Sequence, residues 1–340
     1  MLYIFMIEKK NERNLGLELL RALLSFWIIN IHCLSSAKLK RKIERHNYHV
    51  PCFIFISFYF LYIILVKRNI NAIKRRFVRL LIPYLIWPSI IWIYNNVIFI
   101  IFRQNRFQRM LNFYDFKIQL LVGRGFNGPM WFLFNLIIFS LFFLIIAFIF
   151  KEQFLFILQI FAIISYAIQY SDFIYPFFNE FKECIRGSLG HCMGTFPVSI
   201  IALSCSSFNL IEKLKHHYKK GIFFSFIMIY LVYKYNIFIN LHWYYGIKKA
   251  YMSVFIFIFF SSLPINDINN KMFIFIIKII TSYTQGIYCM HLIVHYYLLK
   301  YSPIQNIEFK ECFIIYLISY YISFIGFKIC EKTKLKYLFI

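Results

Sequence analysis

The chain has 340 residues, 61 % of them hydrophobic and only 15 % charged, with 38 Lys plus Arg against 14 Asp plus Glu. That apolar share exceeds what one soluble core absorbs and is the reverse of a disordered composition, and 11 Gly with 8 Pro exclude fibrous or low-complexity sequence. The class that remains is an all-α integral membrane protein, a bundle of transmembrane helices.

In chain order, the opening MLYIFMI is too short for a signal peptide and precedes its charges, Lys9, Lys10 and Arg13. The first long apolar run therefore reads as a signal anchor. A membrane span needs about 20 mostly apolar residues. That ruler predicts ten spans, near 15–36, 48–66, 80–102, 129–150, 153–171, 189–208, 221–240, 250–264, 272–299 and 309–330. Continuous apolar runs, as opposed to alternating ones, argue against a β-barrel. The expected layout is a cytoplasmic segment 1–14, one transmembrane domain over 15–330 and a basic tail 331–340. The eight cysteines form no CxxC pair, and most lie within apolar runs as small hydrophobes.

The net charge of +24 would suggest nucleic acid in a soluble chain, but here it sits in short loops between spans. It fits contact with anionic membrane lipids or an anionic substrate at the surface, and no nucleic acid. Lys67, Arg68, Lys74, Arg75, Arg76 and Arg79 favour an N-terminus inside the plasma (inner) membrane. Lys38, Lys40, Arg41, Lys42 and Arg45 on the opposite side weaken that bias.

Ionisable residues within spans are costly and draw attention as functional candidates. The first span holds Glu18, Arg21 and His32. Arg21 and His32 are eleven residues apart, about three turns plus 20°, so they share a face about 16 Å apart along the axis. A long substrate along the helix would meet a permanent cation at one end and a titratable base at the other. The plainer alternatives are an i,i+3 pair of Glu18 with Arg21, a snorkelling Arg21, and a polar His32 at the span's end. Later in the chain, His291 and His295 lie one turn apart; no acidic third ligand accompanies them, and no metal site is expected. Ser282 lies near enough in sequence to orient His291. His191, between glycines, reads as structural.

Arg, ten residues, then His in a first span resembles the signature of the membrane-bound acyltransferase-3 family. HVPCFIFISFYFLY (49–62) resembles that family's second span, KRRFVRLLIPYLIW (74–87) its basic loop entering the third, GPMWFLFNLIIF (128–139) its Gly-x-x-Trp-Phe-Leu segment, and SYTQGIYCMHLIV (282–294) its late Ser-x-x-x-Gly-Ile-Tyr-x-x-His element. The blocks fall in family order across nearly the whole chain. One departs: the family's Ser-Gly is Ser57-Phe58 here.

The resemblance implies an acyltransferase that moves an acyl group, most simply acetyl, from a cytosolic acyl-CoA to a hydroxyl of a cell-surface polysaccharide or lipid-linked glycan. It implies no bound cofactor, and partners among separate polysaccharide-biosynthesis proteins. His32 suits the base or the acyl-carrying nucleophile, because imidazole titrates near neutral pH. Arg21 offers a planar fork for a phosphate or for developing oxyanion charge. His291 is the further catalytic candidate. Arg75, Arg76 and Arg79 would receive the donor's phosphates, with Ser57, Trp131 and Ser282 in support. The competing reading is a transporter or flippase of an anionic lipid-linked sugar, which should show inverted repeats and broken spans; a non-catalytic scaffold is a third.

Overall fold

The computed structural model of the chain describes residues 14–44, 48–103, 109–123, 130–170, 188–235, 247–267, 270–302 and 306–340. Among them every regular element is a helix. In chain order these are α1 (Leu15–Cys33), α2 (Ala37–Glu44), α3 (His49–Val66), α4 (Ile70–Phe102), α5 (Phe113–Val122), α6 (Met130–Phe150), α7 (Phe154–Tyr170), α8 (Ser188–Ser207), α9 (Leu210–His216), α10 (Tyr218–Tyr235), α11 (Ile247–Ser262), α12 (Lys271–Ser282), α13 (Thr284–Tyr301) and α14 (Phe309–Cys330). Asparagine sets several helix starts. The side chains of Asn14, Asn69 and Asn270 accept from Leu17, Ala72 and Phe273 N–H, and Asn112 with Asp115 forms a reciprocal capping box at α5.

Five helical stretches among the described residues are long and apolar enough to cross a membrane, or up to seven if each of two bent pairs is one span. The predicted count of ten is not reached, for local reasons. Span 221–240 runs past Tyr235 into residues outside the described ones. Span 250–264 yields α11, whose 16 residues reach only about 24 Å. Span 272–299 is not continuous: α12 and α13 meet at 58° around Tyr283. The hydroxyls of Thr281, Ser282 and Thr284 turn back onto main-chain carbonyls at this break, local bonding that competes with a straight helix. Residues 130–164 are one stretch in that count of five but contain a reversal, which divides them at the boundary expected between 129–150 and 153–171. Phe142 and Phe161 would lie about 28 Å apart on one straight helix, yet their ring centroids are 5.8 Å apart. α6 and α7 are therefore an antiparallel hairpin, turned at Lys151 with φ +48°.

α1 lies between two apolar clusters. The larger joins it to α3, α4, α6, α8 and α11, with Phe55, Phe58, Phe143 and Phe257 fully buried. The smaller joins its far end to α2, α13 and α14 through Ile29, Cys33, Ile43, Ile287, Val294 and Ile315. This central seat explains why α1 is well buried although it carries three ionisable side chains. Where α1 meets α11, Gly16 allows direct backbone contact: an ideal Cβ there would stand 1.9 Å from the Phe260 carbonyl oxygen. Gly16→Ala should cost about 1–3 kcal/mol by overpacking, read as a lower unfolding midpoint in detergent; an unchanged midpoint would show that α1 and α11 part without penalty.

The basic tail folds back onto the bundle. A 3₁₀ turn over Lys334–Leu338 packs on α4 and α14. Trp87 Nε1 donates to Leu338 O at 3.1 Å and Gly286 N–H to Phe339 O at 3.3 Å. The Phe339 ring lies over Gly326, where a Cβ would come within 2.3 Å of it.

Candidate functional site

Two contacts align α1 with α13. Arg21 Nη2 donates to Thr284 Oγ1 at 3.2 Å, and the His32 and His291 rings lie 5.4 Å apart, tilted by 37°. Arg21 precedes His32 as Thr284 precedes His291, so the two helices run in the same direction. The pairs form two levels separated by about 10–16 Å along the axes. One level is cationic and the other is imidazole.

At the first level Arg21 also reaches Glu18, Nη1 to the carboxylate oxygens at 3.3 and 3.4 Å, and its side chain stays 33 % exposed. The i,i+3 pair expected from sequence is present, and it leaves part of the guanidinium open. Gln285 Nε2 donates to Arg79 O at 3.4 Å, which places the start of α4 beside the same level.

The three arginines of α4 do not form one cluster. Arg75 and Arg79 are exposed, and the Arg79 guanidinium sits 6.0 Å from the Tyr337 ring. Arg76 turns inward. Its Nη2 donates to Ser57 Oγ at 2.9 Å, its Nη1 to Ser57 O at 3.2 Å and its Nε to Ser140 Oγ at 3.1 Å. Arg76 thus clamps α3, α4 and α6. The structure brings Ser57 together with this arginine. Phe58 forms the floor: it is fully buried, 5.3 Å from the Phe143 ring edge-on, with the Arg76 guanidinium 5.5 Å from its centroid. The Ser57-Phe58 departure is therefore a filled position, occupied by a ring on which the cation rests.

At the second level His32 is exposed and His291 is fully buried behind it. His291 Nδ1 lies 2.8 Å from Tyr288 O; a carbonyl only accepts, so Nδ1 carries the proton. Nε2 is buried and has no partner.

Trp131 is half-buried against the larger apolar cluster; its ring lies 6.3 Å from that of Phe132, which is 5.5 Å from the Tyr288 ring, itself 6.1 Å from His291. Gly128 and Pro129, which precede it in the motif, lie outside the described residues. The exposed Ser282 donates to Lys278 O at 2.5 Å and does not orient His291. Sequence reasoning missed Thr284 and Ser140. Thr284 and Ser140 are ordinary span residues until a bend and a packed neighbour turn them toward arginines.

Among the described residues no three of His, Cys, Asp or Glu are arranged to hold a metal ion. A separate groove of about 400 Å³ runs between α13 and α14, lined by Met290, Val294 and Ile318 among others, and contains none of the site residues.

No curated protein and no solved structure matches the chain significantly. A family model described as an acyltransferase domain matches residues 14–329. That span takes in nearly every helix described above and both levels of the site, and several of those helices are apolar and long enough to span a membrane. The chain belongs to the acyltransferase-3 family and is a multi-pass membrane acyltransferase.

Proposed function

We propose that the protein transfers an acyl group, most simply acetyl, from acyl-CoA to a hydroxyl of a cell-surface or lipid-linked glycan. The observation that supports this best is the pair of levels on α1 and α13, a cation held by Thr284 and, about 16 Å along α1, an exposed imidazole backed by a buried one. The separation suits an extended donor whose polar arm is gripped at Arg21 while its thioester reaches His32. In this reading the Arg21 level faces the cytosol of the plasma (inner) membrane, the N-terminus is inside, and Arg75 and Arg79 meet the CoA phosphates at the surface.

At His32 the acceptor hydroxyl gives its proton to the ring, its oxygen bonds to the thioester carbon, and the C–S bond breaks. The thiolate then leaves with the proton from the imidazolium as free CoA. Transfer through an acyl-histidine gives the same balance in two steps. His291 packs behind the ring and limits how it turns. Arg21, with a fork already partly oriented by Glu18 and Thr284, binds the donor and does not exchange protons.

Arg21→Lys should raise the KM for acetyl-CoA about tenfold, because lysine keeps the charge but loses the planar pair of donors. Membrane vesicles with labelled acetyl-CoA and the cell's own glycan, stripped of esters by mild base, provide the assay. Full activity in Arg21→Lys would reduce Arg21 to a charge, and full activity in Arg21→Ala would remove it from the donor site. The transporter reading draws on the two bent helix pairs, but a flippase moves its glycan unchanged; appearance of new ester on the glycan separates the two.

A further inference from the structure

Several elements meet at the end of the bundle that holds the exposed His32. Ser35, just past α1, ties down the start of α14: its N–H donates to Ile307 O at 3.0 Å, and its Oγ accepts from Ile307 N–H at 2.9 Å. α14 then runs back along α13, since the ring of Tyr283, before α13, lies 5.3 Å from Tyr320 and 5.8 Å from Phe324. α2 sits at this same end. Its Leu39 and Ile43, one turn apart, pack on the cluster that carries Cys33, Val294 and Ile307. On another face Lys38, Arg41 and Lys42, spaced i, i+3, i+4, are all exposed. Like charges one turn apart repel, so this stripe works against its own helix. It also lies at the end placed outside the membrane above, where the positive-inside bias gives no reason for cations. An anionic ligand accounts for both.

The groove between α13 and α14 opens at the same end. Its floor passes from Met290, next to His291, through Val294 and Leu298 to Ser302, about 18 Å along the α13 axis. Ile318 and Ile322 of α14 form the other wall, and Ile318 is exposed on a helix long and apolar enough to span the membrane. Such a lining gives a hydrocarbon chain contact and gives water almost nothing to bond.

We propose that the acceptor is a glycan joined through phosphate to a lipid, with Lys38, Arg41 and Lys42 binding the phosphate and the α13–α14 groove holding the hydrocarbon chain. The inference rests on the acyl-transfer reading above and deepens it by choosing a lipid-linked acceptor over a finished polysaccharide. In that reading the donor's phosphates lie at the Arg21 end, so the α2 cations serve a different anion. A polysaccharide without lipid uses neither the cations nor the groove. α2 begins five residues after His32, at most about 19 Å of chain. A sugar close to the bound phosphate therefore comes to the exposed imidazole.

The test compares two acceptors in vesicles with acetyl-CoA as donor: ester-stripped lipid-linked glycan extracted from the expressing cell, and the same glycan released from its lipid by mild acid. The wild-type KM should be at least tenfold lower for the lipid-linked form. Lys38→Gln, Arg41→Gln and Lys42→Gln together should raise that constant about tenfold at low salt and less at high salt, while the constants for released glycan and acetyl-CoA move less than twofold. Ile318→Trp, which fills the groove from its exposed side, should raise the same constant alone. Equal wild-type constants for the two acceptors would overturn the proposal. So would a triple variant that raises the acetyl-CoA constant, which would put the donor at α2, or one that changes nothing, which would leave α2 on ordinary anionic lipid. If wild-type vesicles form no ester on either acceptor, the acyl-transfer reading fails, and binding of radiolabelled lipid-linked glycan to the purified protein in detergent decides the site by itself. About tenfold weaker binding in the triple variant would uphold it, and phosphatidylglycerol competing as well as unlabelled lipid-linked glycan would overturn it.

Discussion

His32→Ala should reduce acyl transfer at least 100-fold while membrane abundance stays near wild type. A positioned base contributes about 10²–10⁴-fold, or roughly 3–5 kcal/mol of transition-state stabilisation. His32 is exposed and the apolar cluster around it is carried by Ile29, Ile31, Cys33 and their partners, so removing the ring leaves the core filled. His291→Ala is the informative contrast. That ring is fully buried, and its loss opens a cavity as well as the space behind His32, so abundance and activity should fall together. Glycan O-acylation measured by NMR, normalised to protein in the membrane, distinguishes the two. Normal acylation in a well-expressed His32→Ala strain would exclude His32 as base and as nucleophile.

Arg76→Gln should destabilise the fold by about 2–4 kcal/mol, whereas Arg75→Gln should stay within about 0.5 kcal/mol of wild type. Removing the Arg76 guanidinium strips donors from Ser57 Oγ, Ser57 O and Ser140 Oγ, and withdraws the cation from Phe58, in the middle of three packed helices. Exposed Arg75 changes only the field a donor meets, an effect that salt screens. Neutralising Arg75, Arg76 and Arg79 together should therefore read as lost protein before it reads as lost donor affinity. Thermal unfolding in detergent at matched lipid content checks this. An Arg76→Gln protein as stable as wild type, with weaker acetyl-CoA binding, would return Arg76 to a surface donor site with the other two.

Composition was enough to place the chain in a membrane, because no soluble core accommodates so much apolar surface, and helical period was enough to set Arg21 and His32 on one face of α1. The family blocks were legible for the same reason: they are short, local and in order along the chain. The number of crossings was not legible, since hydropathy measures apolar length and is blind to a bend. The break at Tyr283 carries no proline and arises from hydroxyls bonding back to carbonyls, and it is this break that starts α13 at Thr284, facing Arg21. The sequence also grouped Arg75, Arg76 and Arg79 as one patch. Residues one apart on a helix point about 100° apart, so only packing against Ser57 and Ser140 could decide that Arg76 belongs to the interior and Arg75 to the surface.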